Sequence, residues 1–156
     1  DDRIARFLWA YEDTARVHLS PSGSLLETLS CSAFQQNVYG IVDCGALLWH
    51  LQNRSIIDIL GTAYYHPILP LIPEADREEH LRRWQGIAQH LFWREAFPGF
   101  WPPEMGFSMT LIPLLKRLGY SYVLVDCEHV RALTPMTEAE RLYRPHIARL
   151  GSGIDL

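Results

Sequence analysis

The sequence predicts an α/β fold built on a parallel sheet, and three observations carry that prediction. Four short apolar or alternating runs, near 16–20, 55–60, 99–101 and 121–126, read as strands. Each is followed by a helical pattern or by a loop that leads to one, the order expected of βα units. With 156 residues, 48% of them hydrophobic, the chain is long enough for one domain to bury a core.

The elements follow in order. Ile4, Phe7, Leu8 and Tyr11 fall at i, i+3, i+4 and i+7, one face of a helix over 3–11. Arg16 to Ser20 alternates as a strand, and Pro21-Ser22-Gly23-Ser24 stops it and supplies the cap of a helix over SLLETL. Residues 45–52 form a second apolar helix, broken at Asn53-Arg54, before a buried strand over 55–60 that ends at Gly61-Thr62. Pro67, Pro70 and Pro73 then deny both helix and ladder, so AYYHPILPLIP is an extended loop suited to a cleft wall. Glu74 to Trp93 is an amphipathic helix with Leu81, Trp84, Ile87, Ala88 and Leu91 on one face and acidic residues in its first turns. GFWPPEMGF is a short strand ending in a Pro-Pro loop. SMTLIPLLKRLGY is a helix with Ser108 as cap and Gly119 just past its end, and SYVLVD is the fourth strand. Beyond Thr134 the pattern predicts one helix near 137–143 and no strand, and the chain stops as if in mid-fold.

Right-handed crossovers make such a sheet either doubly wound or part of a barrel. In both, ligands bind at the carboxyl ends of the strands, which singles out Ser20, Thr62 to His66, Pro102 to Glu104, and Asp126 to His129. Composition narrows the partner. With 14 Lys+Arg against 18 Asp+Glu, a net charge of −4 and no basic run, the chain offers no footprint for nucleic acid or an anionic membrane. No segment reaches the roughly 20 apolar residues of a membrane span. Cys31, Cys44 and Cys127 are an odd set without a C-x-x-C pair, which argues against a disulfide framework or structural zinc and for a reducing, cytoplasmic location. The start Asp1-Asp2-Arg3 is neither an initiator Met nor a signal peptide, and reads as a cut end.

The most specific stretch is Gly99 to Phe107. A carboxylate, Glu104, directly follows a strand, is held by Pro102 and Pro103, and is flanked by aromatics, which suits a preorganised acid group beside a sugar-stacking surface. The plainer alternative is that Glu104 only stabilises the dipole of the helix after it. Trp101 and Tyr65 are the aromatics best placed to stack a sugar ring, although most aromatics of a domain are core.

GTAYYHPILPLIP (61–73) and GFWPPEMGFSMTLIPLLKRLGYSYVLVD (99–126), in this order and separated by one amphipathic helix, resemble glycoside hydrolase family 57. The likeness runs from about Ser20 to Asp126, roughly two-thirds of the chain. The resemblance implies part of a (β/α)7 barrel and a retaining glycoside hydrolase acting on α-linked glucan. It makes Glu104 of Trp101-Pro102-Pro103-Glu104 the nucleophile and His66 a subsite residue that bonds sugar hydroxyls, the alternative for His66 being a loop His that bonds backbone and locks the Pro-rich segment. It matches Asp58 of Ile57-Asp58-Ile59 to a position that many members fill with Glu, a substrate-side role whose alternative is a buried Asp satisfied by backbone. Asp126 either supports the site or caps the next turn. The implied partner is an oligo- or polysaccharide, with no metal or organic cofactor.

The family's general acid, an Asp on a later strand, and its His-x-Pro-like first motif match no segment here, so an incomplete catalytic barrel is expected. The alternatives are an α-glucan transglycosylase, or a homologue that binds glucan without cleaving it. A deacetylase-type metal site is disfavoured because no two of the seven His lie within nine residues of each other.

Overall fold

The computed structural model describes residues 7, 10–53, 56–129, 131–150 and 154–155. The helix predicted over 3–11 lies largely outside that set, as does the Gly-Ser-Gly segment 151–153. Strand β1 (Val17–Leu19) leads through a loop into helix α1 (Gly23–Ser30), where the Ser22 hydroxyl accepts the Leu25 amide and caps the first turn. Helix α2 (Ser32–Asn37) follows, which the sequence reading does not contain, and then α3 (Cys44–Asn53). Strand β2 (Ile57–Ile59), helix α4 (Glu74–Phe92), strand β3 (Gly99–Phe100), helix α5 (Ile112–Arg117) and strand β4 (Tyr122–Val123) complete the repeating part. Ser108 caps a single 3₁₀ turn ahead of α5, Pro113 sits in the first turn of that helix, and Gly119 takes φ +85° beyond its end.

Beyond Thr134, helix α6 (Glu138–Tyr143) forms with a reciprocal capping box between Thr137 and Glu140. The expectation of no strand there is corrected by an antiparallel pair, β5 (Arg149–Leu150) with β6 (Ile154–Asp155). Each has two residues, too short for a period-2 pattern to show.

β1 pairs parallel with β2, with His18 opposite Asp58. β3 pairs parallel with β4, with Gly99 opposite Tyr122. A single parallel bridge, Gly61 with Phe100, joins the two pairs, so the four parallel strands run β1-β2-β3-β4 in chain order. A doubly wound sheet reverses direction at a switch point, whereas sequential parallel order is how a barrel wall is laid down.

Alternation sorts the strand side chains. Val17, Leu19, Ile57, Ile59, Phe100 and Val123 belong to or pack against the main core, together with Leu26 of α1, Trp84 and Ala88 of α4, and Leu114 and Leu115 of α5. The opposite face carries His18, Asp58 and Tyr122, all exposed. Helices thus cover one face of the parallel sheet, and the other carries these polar groups together with the buried Leu60. Glu78 ties α4 to α5 by bonding Arg117 at 2.6 Å, and within α4 it bonds Arg82 at 2.7 Å. Those two guanidiniums hold its carboxyl below the usual range, so this contribution is present above the ordinary Glu pKa and is lost as pH falls through the lowered one.

Trp84 fills the centre of the core at 0% exposure, and its indole N–H donates to the Pro21 carbonyl at 2.8 Å. Trp84→Ala should therefore cost about 3–5 kcal/mol, read as a lower urea midpoint. Trp84→Phe, which keeps most of the volume but leaves the Pro21 carbonyl unpaired, should cost about 1–3 kcal/mol.

Candidate active site

The carboxyl ends of β2 and β3 are brought side by side by the backbone. The Gly61 amide donates to the Gly99 carbonyl and the Trp101 amide donates to the Gly61 carbonyl, both at 2.8 Å. Past that ladder the chain turns sharply. The Met105 amide donates to the Pro102 carbonyl at 3.0 Å and the Gly106 amide to the Pro103 carbonyl at 2.9 Å, two overlapping turns that enclose Glu104. Glu104 and Met105 both sit at φ +55°, a left-handed conformation that costs a non-glycine residue roughly 1–2 kcal/mol. Local strain of this kind is concentrated at functional positions. Here it is held by the two turn bonds that enclose it, beside the buried Pro103.

His66 ends the β2 loop, also left-handed at φ +59°. Its Nε2 lies 3.9 Å from Glu104 Oε1, while its Nδ1 is buried without a protein partner. The Glu104 side chain is 70% exposed against 35% for His66, so the carboxylate projects into the open at the strand ends with the imidazole against its inner side. At 3.9 Å the two groups are too far apart for a hydrogen bond, which leaves the carboxylate oxygens available to a ligand.

The other predicted residues are placed as follows. Trp101 is 36% exposed, three residues ahead of Glu104 on the same turn. Asp58 is not buried: its side chain is 65% exposed and its Oδ2 lies 3.9 Å from His18 Nδ1, which removes the buried, backbone-satisfied alternative. The reason is register, because Ile57 and Ile59 take the helix-facing positions and leave Asp58 on the polar face. Tyr65 leans on α4, edge-on to His80 at 5.7 Å and with Arg83 5.9 Å from its centroid. Asp126 Oδ1 accepts the Glu128 amide at 3.0 Å, the turn-capping alternative of its two readings.

Two residues not singled out from the sequence stand beside Asp58. His18 is its cross-strand partner, and Tyr122 has its phenol pushed above the ordinary range first by burial and then by the Asp58 charge. The signal was present in the apolar–polar–apolar triplets Val17-His18-Leu19 and Ile57-Asp58-Ile59, which mark one polar position per strand. A separate groove of about 480 Å³ between the start of α4 and α5 is lined by Arg77, Ser108, Thr110 and Arg117 and does not include Glu104. Its cations are engaged, Arg77 by the carbonyls of Pro70 and Ile72 and Arg117 by Glu78. Among the described residues, no group of three or more His, Cys, Asp or Glu could hold a metal ion. No helix there is long and apolar enough to cross a membrane.

Because the Glu104 backbone is already left-handed, Glu104→Gly should leave the thermal midpoint unchanged or raised. At an ordinary position, glycine costs about 0.5–1 kcal/mol. A clear drop in midpoint for Glu104→Gly would contradict the strained turn.

The model of glycosyl hydrolase family 57 matches residues 5–153. The alpha-amylase of Pyrococcus furiosus is 30% identical over 139 residues, covering 89% of this chain and 20% of that protein. The 4-alpha-glucanotransferase of Thermococcus litoralis is 27% identical over 139 residues, covering 89% and 19%. The crystal structure of 4-alpha-glucanotransferase from Thermococcus litoralis superposes with a TM-score of 0.64 at 27% identity, over 81% of this chain and 18% of that one. The chain thus spans about a fifth of the length of the curated relatives it matches.

Proposed function

The chain belongs to glycosyl hydrolase family 57, and on that premise we propose that it forms part of the (β/α)7 barrel of a retaining glycosidase acting on α-linked glucan. Glu104 is the nucleophile in this reading. The observation that carries it is the carboxylate at the end of β3, held out by a strained diproline turn with the His66 imidazole 3.9 Å away. The sequential parallel strands, covered by helices on one face, support the barrel.

In the proposed reaction a Glu104 carboxylate oxygen attacks the anomeric carbon and forms a glycosyl ester, while the departing glycosidic oxygen takes a proton from a second carboxylic acid. Retention requires that acid about 5–5.5 Å from the nucleophile, and we assign it to a segment beyond these 156 positions. Water, activated by the same acid in its ionised form, then cleaves the ester. His66 bonds a sugar hydroxyl next to the reacting centre, and Trp101 offers an apolar surface to a ring face. Asp58, together with His18, presents polar groups on the sheet face beneath the site. Tyr65, 59% exposed, offers a second aromatic surface to sugar while its amide ties the His66 loop to α4, and Asp126 caps the turn after β4.

Hydrolysis and transglycosylation share the glycosyl-enzyme and differ in whether water or a sugar hydroxyl resolves it. Relatives of both kinds, an alpha-amylase and a 4-alpha-glucanotransferase, keep the second outcome in view. Incubation with maltopentaose separates them, since a transferase yields chains longer than the starting sugar and a hydrolase only shorter ones.

In the full-length protein, Glu104→Gln should lower turnover on the order of 10⁴-fold or more while leaving oligosaccharide binding nearly intact. A 5-fluoroglucosyl fluoride should label the peptide containing Glu104, read by mass spectrometry. Retained turnover, or a label on another residue, removes the assignment. His66→Ala should raise KM about tenfold with a smaller change in kcat, as expected for one lost sugar hydrogen bond. An unchanged KM would take His66 out of the subsite.

A further inference from the structure

The loop that delivers His66 is clamped from two helices, and the clamp has a polar centre that the reaction does not otherwise use. Tyr64, buried at 6% exposure, directs its hydroxyl to Glu27 Oε2 of α1 at 2.6 Å, although the two residues are 37 positions apart. That bond, ahead of burial, pushes the Tyr64 phenol up to about 12, so it stays a donor at any physiological pH. The Ser24 amide at the start of α1 donates to the Tyr64 carbonyl at 3.0 Å. The Tyr64 ring also occupies the space where a side chain at Gly23 would stand.

On the other side, Arg83 of α4 lies 5.0 Å over the Tyr64 ring, and the Tyr65 amide donates to His80 Nδ1 at 3.3 Å. An imidazole accepts only when neutral, and burial of His80 lowers its pKa in the matching direction. The two residues ahead of His66 are therefore held, Tyr64 through its side chain and carbonyl and Tyr65 through its amide, and His66 itself is the left-handed one. A non-glycine residue relaxes out of that conformation unless its surroundings over-determine it. His66 makes one further backbone bond, its amide to the Ala63 carbonyl at 3.3 Å, which is weak.

We infer that Glu27 is a positioning residue for the sugar-cleaving site: through its bond to Tyr64 it holds the β2 loop so that the His66 imidazole stays against Glu104. The inference rests on the reading of Glu104 and His66 given above. Glu27 touches no substrate. It acts on one carbon skeleton, Tyr64-Tyr65-His66, and its influence should be felt only through the imidazole at the end of it.

The test uses the full-length protein and a maltooligosaccharide assay, with kcat and KM measured separately. Glu27→Ala should lower kcat/KM about tenfold, mainly through KM, and Glu27→Gln, whose carbonyl still accepts the phenol proton, should restore it to near the parent value. Tyr64→Phe, which removes only the hydroxyl and keeps the ring under Arg83, should reproduce the Glu27→Ala loss if that larger change disturbs folding. In a His66→Ala background both substitutions should have no further effect. A loss of the same size in that background makes the bond merely structural and overturns the inference, as does an unchanged kcat/KM in Glu27→Ala and Tyr64→Phe. Glu104→Gln, assayed alongside, separates the two levels. Full activity of that variant overturns the nucleophile and the positioning role with it, whereas an inactive Glu104→Gln beside unaffected Glu27→Ala and Tyr64→Phe overturns the positioning role alone.

Discussion

Two backbone hydrogen bonds, Gly61 amide to Gly99 carbonyl and Trp101 amide to Gly61 carbonyl, join the two halves of the parallel sheet, and the candidate site exists because of them. They place the exit of β2 beside the exit of β3, so the loop ending in His66 and the turn holding Glu104 meet. The approach is close enough to exclude side chains. A Cβ at Gly61 would enter the Tyr120 ring, and one at Gly99 would meet Tyr122 and Leu60. Tyr120, nearly buried and edge-on to Phe100 at 5.0 Å, braces the junction from the helix side. A larger residue at Gly61 would have to displace the buried Tyr120 ring, which strains the junction that sets His66 beside Glu104.

Around this junction the structure divides its work by face. The helix-facing side of the sheet is filled by Ile57, Ile59 and Phe100 against Trp84, Leu114 and Leu115, a dry core that sets strand positions within narrow limits. The opposite face keeps His18, Asp58 and Tyr122, and the strand ends keep Glu104, His66 and Trp101. Rigid strands thus carry the polar groups and rigid turns aim them, which is how a site is held to the sub-ångström tolerance that catalysis needs. Among the described residues, three of the four non-glycine positions with positive φ, His66, Glu104 and Met105, lie in these two turns, which locates the backbone strain where the chemistry is proposed.

The sequence by itself determined the alternation of strands and helices, a helix cap within Pro21 to Ser24, the cap at Ser108, the C′ role of Gly119 and the proximity of Glu104 to a strand end, because each of these is written in local periodicity or turn chemistry. It missed α2, whose six residues bury nothing fully, and the two-residue strands β5 and β6, since neither leaves a hydrophobic period to read. Only the tertiary structure decided that the strands run in sequential order, that Asp58 faces away from the core with His18 beside it, that Tyr65 leans on α4, and that Glu27 and Tyr64 clamp the His66 loop. Those facts depend on pairings across tens of residues, and a one-residue change of register would reverse every face without altering the local pattern that predicts each strand.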